Sequence, residues 1–368
     1  MTALAGRGGA ASGCLAAASP AAAQDGDGTS CLRGVTLRLV AAREHARQLD
    51  PYLGELRAPP EPAAPVFVLA IGPQDSDPDP GGALPLAEGP LPEGPDARLY
   101  ATDDGLLLVV PGQMSLRVST LRGEARIGVA PGAERLIGGT PGIVAIEAAA
   151  GLSGQALAHA AALTLPGQDG ALLLAAPSGA GKTTTALALA LGRFGLLTDD
   201  AAMLRPAVGG MTVWGLPRGL KVHRATLGLL PALAPLLGDA WDAAGEQALP
   251  RARLAGLLPM PPARPVPVAA MLFVGPRRGI AGHELHPLPR GEMLLRLAAD
   301  NLGRGPRGLP EADRRRWAAL SPAVAGARCF ELRAGTDLGT LPAAVLAALG
   351  GRRRVTPLGP RAAAWLLH

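Results

Sequence analysis

The chain has 368 residues, 48% of them hydrophobic, and a formal net charge of +5. This length and apolar content predict two domains with sizeable cores, and no apolar run approaches the ~20 residues of a membrane span. Three cysteines without metal-type spacing argue against a disulfide framework and favour a reducing, cytoplasmic compartment.

The first part of the chain predicts a small β-rich domain over residues 31–135. Its signals are alternating apolar residues separated by clusters of Pro, Asp and Gly. The predicted elements are a disordered Ala/Gly-rich leader at 1–30, strands at 31–42 and 64–71, a loop at 72–98, and hairpins at 98–110 and 114–129.

The second part, residues 136–350, predicts an α/β domain, because helical and strand patterns alternate along it. A basic tail follows at 351–368. The predicted elements are a helix at 141–158 with a Gly-Leu-Ser-Gly interruption, strands at 159–165 and 171–176, a helix at 182–191, a strand at 196–198, a strand and loop at 210–223, helical stretches at 225–257, a strand at 266–274, helices at 289–303 and 309–320, a strand at 329–333 and a helix at 338–349.

A phosphate-binding loop is predicted at residues 176–183, which read APSGAGKT between a strand and a helix. The motif matches G-x-x-x-x-G-K-[ST] except at its first glycine. Glycines let the backbone approach phosphate oxygens, the lysine reaches the outer phosphates, and the hydroxyl binds Mg²⁺. The predicted nucleotide-binding residues are Ala176, Pro177, Ser178, Gly179, Ala180, Gly181, Lys182, Thr183 and Thr184.

Two adjacent aspartates, Asp199 and Asp200, follow Lys182 by 17 and 18 residues. One helix and one short strand fit in that interval, so the aspartates are expected at a strand end near the γ-phosphate. A carboxylate there can hold Mg²⁺, and a second can accept a proton from an attacking hydroxyl. A surface turn that closes the strand is the alternative interpretation.

His159 is predicted beside the phosphate loop. The turn PGQDG makes residues 159–165 and 171–176 an antiparallel hairpin, and counting from its centre pairs His159 with Pro177. From there the imidazole could contact the γ-phosphate or orient the aspartates, although a structural histidine is also compatible with the pattern.

Lysine is rare in this chain, with 33 arginines and two lysines, Lys182 and Lys221. The ratio is typical of codon bias and weakens the case for a nucleic-acid surface. A surviving lysine is a candidate for a site that needs a compact ammonium. Lys221 and Arg218, both in LPRGLKVH at 216–223, are therefore candidate substrate-binding residues, with chance survival of Lys221 left open.

The strand-opening histidine, the SGAGKT loop and the aspartate pair together resemble HPr kinase/phosphorylase, and more closely the HPr-kinase-related serine kinases. The resemblance covers roughly residues 155–345 and includes LPRGLKVH and the late segment CFELRAGTDLGTLPAAVLAAL. It implies a phosphoenolpyruvate-carboxykinase-like, mixed-sheet P-loop kinase domain at 136–350 and a homo-oligomer.

The resemblance also implies roles. The 176–183 loop with Lys182 would bind ATP, Thr183 would ligate Mg²⁺, and Asp200 would accept the proton of the substrate serine. Asp199 would assist or bind metal, and His159 would support the γ-phosphate site. The family's Glu-x-Arg-Gly-Leu-Gly segment corresponds here to LPRGLKVH, which has no Glu. The reverse phosphorylase activity and the choice of HPr as acceptor are therefore left open.

Three functions fit these patterns: a protein or peptide serine kinase, a small-molecule kinase or NTPase, and a nucleotide-binding regulator without turnover. The paired aspartates favour catalysis, and the short Lys–Asp interval favours the serine kinase. The expected partner is an HPr-like protein or a small modified peptide. Neither a membrane nor a nucleic acid is expected, since no signature of a nucleic-acid motor follows the loop.

Overall fold

A computed structural model of the chain describes residues 28–350, apart from 243, 277, 278, 280 and 304–309. The predicted leader, up to residue 27, and the predicted tail at 351–368 lie outside the described residues. The described part is mixed α/β, with two large mixed sheets and one two-stranded sheet. None of its helices is both long and apolar enough to cross a bilayer.

The first sheet has eight strands in the order β1-β2-β3-β8-β7-β6-β5-β4. β3 pairs in parallel with β2 and β8, and the other pairs are antiparallel. Both predicted hairpins are confirmed, as β5–β6 and β7–β8. The bounds are β1 (Gly28–Cys31), β2 (Thr36–Ala41), β3 (Val66–Pro73), β4 (Ala87–Pro90), β5 (Asp96–Thr102), β6 (Gly105–Val110), β7 (Met114–Ser119) and β8 (Glu124–Val129).

The second sheet has nine strands, with the path β12-β10-β11-β17-β14-β13-β9 and with β19 and β18 added beside β17. β11, β17 and β19 are parallel neighbours, and β15 and β16 form the separate pair. The bounds are β9 (Ala156–Ala158), β10 (Ala161–Thr164), β11 (Ala171–Ala175), β12 (Gly195–Thr198), β13 (Ala202–Ala207), β14 (Gly210–Gly215), β15 (Leu220–His223), β16 (Glu246–Leu249), β17 (Val266–Val274), β18 (Glu284–Pro287) and β19 (Arg328–Arg333).

Helices cover both faces of the second sheet. On β11, Leu172 and Leu174 belong to the apolar cluster that includes α4 and α9, whereas Leu173 belongs to the cluster that includes α7 and α8. Successive side chains of a strand point to opposite faces of the sheet, so β11 contributes to two separate cores. The bounds are α1 (Arg43–Arg47), α2 (Asp50–Leu53), α3 (Thr140–Gly151), α4 (Lys182–Leu191), α5 (Arg224–Leu229), α6 (Arg251–Leu254), α7 (Arg290–Asn301), α8 (Pro310–Gly326) and α9 (Leu341–Gly350).

Several predicted elements are wrong in part. The helix predicted at 141–158 ends at Gly151, and Gly154, with φ +72°, turns the chain into β9. Ala156–Ala158 is compatible with a helix by local preference, but pairing with β13 makes it a strand. The loop predicted at 72–98 contains β4, which completes the first sheet at its edge. β9 is missed because its partner, β13, is distant in the sequence. β4 pairs with the next strand, β5, and is missed because its Gly89 and Pro90 are weak β formers.

The helix α3 connects the two large sheets. It is buried along almost its whole length and packs against the first sheet and, through Glu147, against α8. Glu147 accepts two hydrogen bonds from Arg316, at 3.0 and 2.7 Å, and both side chains are buried. The apolar cluster of the first sheet continues through α3 to Trp214 on β14. The domain boundary expected near residue 135 stays a prediction.

Candidate functional site

The loop at residues 176–183 joins the end of β11 to the start of α4. Gly179 and Gly181 have φ of +77° and +98°, a region that favours glycine, and Gly181 is the N-cap of α4. A Cβ on Gly179 would meet nothing within 4 Å, so the loop is open on that side. The first N–H groups of a helix have no carbonyl partner within the helix. The loop therefore offers N–H donors and the positive end of a helix dipole to an anion.

The aspartates lie where two strand ladders are interrupted. The β9–β13 ladder ends at Ala158 and the β10–β12 ladder begins at Ala162. The residues between them lie opposite residues 199–201, free of ladder pairing on that side. The Thr198 hydroxyl accepts the N–H of Ala201 at 3.1 Å and so holds the turn. β12 runs parallel to β11, since both are antiparallel to β10, so this turn and the 176–183 loop meet at one edge.

The hairpin that places His159 is confirmed, but its register is one residue from the prediction. Ala161 pairs with Leu174, so β10 begins two residues after His159 and His159 does not pair with Pro177. The predicted strand 159–165 is therefore wrong at its first two residues. The imidazole still lies in the site, because it sits at the interruption between β9 and β10.

Asp200 is the centre of a network of three cationic side chains. Its Oδ1 accepts hydrogen bonds from Lys182 Nζ and His159 Nε2, both at 2.7 Å, and its Oδ2 accepts one from Arg218 at 3.2 Å. Burial would raise the pKa of Asp200, but the hydrogen bond from His159 and the charges of Lys182, His159 and Arg218 hold it well below its usual range. Asp200 is therefore ionised in the free protein.

Two basic partners of Asp200, His159 and Arg218, are stabilised in their charged forms. Hydrogen bonds to Asp200 and to Asp300 raise the pKa of His159 against the opposing effect of burial. Burial lowers the pKa of Arg218, but Asp199 and Asp200 outweigh it and raise the pKa. The site thus holds a compact set of alternating charges before any ligand enters.

Asp199 has a different environment from its neighbour. Its residue is 6% exposed, and burial raises its pKa to about 6, with the charge of Arg218 acting in the opposite direction. The hydroxyl of Thr183 donates to Asp199 Oδ2 at 3.5 Å. A hydroxyl and a carboxylate are oxygen ligands of the kind that Mg²⁺ uses beside phosphate oxygens and water.

The described residues hold no group of three or more His, Cys, Asp or Glu placed to bind a metal. The oxygen ligands that the protein itself would offer a metal near the loop are those of Thr183 and Asp199. A bound Mg²⁺ would take its other ligands from phosphate and water, as is usual for this ion. The residues present fit ATP with Mg²⁺ in this sense.

Two residues of the site escaped the sequence analysis, Asp300 and Asn301, at the C-terminal end of α7. Asp300 Oδ2 lies 2.7 Å from His159 Nδ1, and Asn301 Oδ1 accepts the backbone N–H of His159 at 2.7 Å. One local signal was present: a carboxylate in the last helical turn opposes the helix dipole, which suggests a cationic partner elsewhere.

The remaining predicted residues divide into two groups. Arg218 is in the network, whereas Lys221, on β15, has a side chain 65% exposed and pairs with Glu246 at 3.2 Å. The hydroxyl of Thr184 shares a hydrogen bond of 2.9 Å with that of Thr226, inside the core. Thr184 therefore joins α4 to α5 through its side chain and offers only its backbone to the loop.

Comparison with known proteins adds no identification. No protein-family model matches the chain, and no curated protein sequence matches it.

Proposed function

We propose that this protein is an ATP- and Mg²⁺-dependent kinase that transfers the γ-phosphate to a serine hydroxyl of a protein or peptide. The observation that carries the proposal is the contact of Lys182 and Asp200 at 2.7 Å, beside the open loop at the start of α4. A cation for phosphate and a carboxylate for a hydroxyl proton thus lie together. The resemblance to HPr-kinase-related serine kinases supports the same function and the phosphoenolpyruvate-carboxykinase-like fold.

Nucleotide binding is assigned to the loop and Lys182. The N–H groups at the start of α4 would donate to the β- and γ-phosphates, and the Lys182 ammonium would neutralise part of their charge. Mg²⁺ held by Thr183 and Asp199 would supply further charge neutralisation to the transferring phosphoryl group. Asp199 would bind as the carboxylate, which the nearby cation favours despite its burial.

Asp200 is assigned the role of proton acceptor. In the free protein its pKa is low because three cations contact it. Phosphate oxygens compete for Lys182 and Arg218, so nucleotide binding would withdraw positive charge from Asp200 and raise its pKa towards a useful range. Asp200 would then take the serine proton as the hydroxyl oxygen attacks phosphorus and the bond to ADP breaks. His159 would keep the carboxylate oriented through Nε2.

The test is phosphoryl transfer from γ-labelled ATP with Mg²⁺ to a soluble lysate of the source organism. Three proteins are compared: wild type, Asp200→Asn, and Asp169→Asn as a matched control. Asp169 is an exposed aspartate in the turn between β10 and β11. We expect labelled phosphoserine in a discrete acceptor with wild type and the control, and at least ~100-fold less with Asp200→Asn.

The other outcomes separate the competing functions. Label released only as inorganic phosphate, or transferred to a small molecule, would favour a small-molecule kinase or NTPase. ATP binding without any turnover would contradict the kinase and favour a nucleotide-binding regulator. Equal transfer by wild type and Asp200→Asn would remove Asp200 from the mechanism.

A further inference from the structure

His159 is held from two sides by residues of α7. Its ring Nδ1 lies 2.7 Å from Asp300 Oδ2, while its Nε2 lies 2.7 Å from Asp200 Oδ1. Its backbone N–H donates to Asn301 Oδ1 at 2.7 Å, and Asn301 Nδ2 donates to the carbonyl of Leu297 at 2.9 Å. Backbone and ring of one residue are thus fixed by two consecutive side chains.

These two side chains are buried at the end of a helix that packs in the core. Asp300 is 6% exposed and Asn301 is 7% exposed, on the last turn of a helix whose Met293 and Leu297 are in the core. A carboxylate at this end of a helix is unfavourable for the helix dipole, and its burial adds a desolvation penalty. The position of Asp300 at this end of α7 is therefore unfavourable for the helix, and its contact with His159 offsets that cost.

We propose that Asp300 and Asn301 are positioning residues that set the orientation and the proton arrangement of His159, and so the orientation of Asp200. The inference rests on the proposed kinase function for its kinetic consequence. A charged ring donates Nδ1–H to Asp300 and Nε2–H to Asp200, so it bridges the two carboxylates in one orientation. Without Asp300 the ring can rotate or lose its proton, and Asp200 loses a partner of fixed direction.

The charge surroundings of the ring favour this arrangement. The groups that act on His159 are Asp200 on one nitrogen, Asp300 on the other, and the like charge of Lys182, which opposes them. The charge of Asp200 is shared with Lys182 and Arg218. Each ring nitrogen faces a carboxylate, and this favours the charged ring with a proton on both nitrogens.

The first measurement needs no activity. Nitrogen-15 NMR of the imidazoles in the full chain, with His159→Gln to assign the signal, reports over a pH series whether each ring nitrogen carries a proton. We expect both nitrogens of His159 to keep their protons to a higher pH in wild type than in Asp300→Asn, because the variant loses one of the two carboxylates that stabilise the charged ring. Loss of the proton at the same pH in both proteins would overturn the proposal, whether or not the protein is a kinase.

The second measurement is turnover of Mg·ATP labelled at the γ-phosphate by wild type, Asp300→Asn and Glu292→Gln. Glu292 is the control because it lies on the same helix and pairs with Arg296 away from the site. We expect kcat of Asp300→Asn to fall roughly 10–100-fold with KM for ATP within about twofold, and the control to match wild type. A purely structural role predicts unchanged kcat per folded molecule, and that result would contradict positioning.

Failure of the two proposals can be told apart. If wild type has no turnover while the protonation of His159 depends on Asp300, the kinase function fails and the positioning role stands. If wild type turns over ATP and Asp300→Asn matches it in kcat, the positioning role fails and the kinase function stands.

Discussion

Asp199 and Asp200 are adjacent in sequence, yet their carboxyl groups are under opposite electrostatic influences. Asp200 has hydrogen bonds from three cationic side chains and a pKa below its usual range. Asp199 is buried and accepts a hydrogen bond from the neutral hydroxyl of Thr183, and burial raises its pKa to about 6. In the free protein, only one of the two carboxylates is therefore strongly stabilised in its charged form.

The raised pKa of Asp199 predicts a pH-dependent stability. The unfolded chain releases this proton near pH 3.8 and the folded chain near pH 6, so the folded state binds more protons between these values. The free energy of unfolding contributed by this group therefore falls as pH rises through the window. We expect Asp199→Asn to be more stable than wild type by about 3 kcal/mol at pH 7.5 and by about 1 kcal/mol at pH 4.5.

The measurement is urea unfolding of both proteins at both pH values, with EDTA and without nucleotide. Asp169→Asn, on the exposed turn after β10, gives the background effect of losing a surface carboxylate. A stability difference between Asp199→Asn and wild type that is the same at pH 4.5 and 7.5 would contradict the assignment.

At the scale of elements, the site depends on how closely β14 approaches β12. A Cβ on Gly215 would fall well inside van der Waals contact with the carbonyl oxygen of Leu197. The chain then continues through residues 216–217 to Arg218, with the Leu216 N–H donating to the carbonyl of Ala201 at 3.0 Å. The glycine thus lets Arg218 reach Asp200 from the strand end.

Gly215→Ala should separate these elements. We expect the added methyl group to displace β14 from β12, to destabilise the protein by about 1–3 kcal/mol, and to reduce ATP turnover more than loss of folded protein explains. Thermal unfolding and turnover per folded molecule measure the two effects. Gly228→Ala is the matched control, because a Cβ at that helical position meets nothing within 4 Å and alanine is the better helix former.

If Gly215→Ala has the same unfolding temperature and turnover as the control, the close approach does not position Arg218.

Arg251 contacts β12, the strand that leads into the aspartates. Its side chain is 10% exposed, donates to the carbonyl of Leu197 at 3.2 Å and pairs with Glu55 at 3.0 Å. Through Arg251, β12 is therefore connected to Glu55, in the segment between β2 and β3 of the first sheet.

At the scale of the whole molecule, one fully buried glutamine joins the two large sheets. Gln155 Nε2 donates to the carbonyl of Leu32 at 2.7 Å, and the amide oxygen of Gln155, Oε1, accepts the indole N–H of Trp214 at 2.7 Å. Gln155 and Trp214 are both 0% exposed. Because buried polar groups are costly without partners, this amide holds both sides in one register.

Gln155→Ala should weaken that connection. Trp214 and the carbonyl of Leu32 would lose buried partners, at about 1–3 kcal/mol for each group, so we expect a loss of about 2–6 kcal/mol. Urea unfolding followed by tryptophan fluorescence measures it, with the exposed Gln168→Ala as the control. A stability equal to that of the control would show that water or a local shift replaces the amide.

Much of the architecture could be predicted because its signals are local. The hairpins around TDDG and RGE, the helix after Lys182 and the strand at 266–274 follow from apolar period and turn residues. The strands β9 and β13 and the edge strand β4 could not be assigned in this way. β9 becomes a strand through pairing with the distant β13, which no local pattern records. β13 and β4 each pair with the next strand along the chain, β14 and β5, but both contain a proline, which is rare in strands and hides the local signal.

The sequence by itself determined the Gly-rich turn between β11 and α4, the aspartate pair at the end of β12 and a histidine nearby, because each follows from residue types and turns that are local along the chain. Only the tertiary structure decided which groups meet: it brought Arg218 and Asp300 to the site, placed Lys221 outside the network, and shifted His159 by one residue of register. Short spacings are fixed by covalent geometry, whereas contacts between distant segments depend on how whole sheets and helices pack.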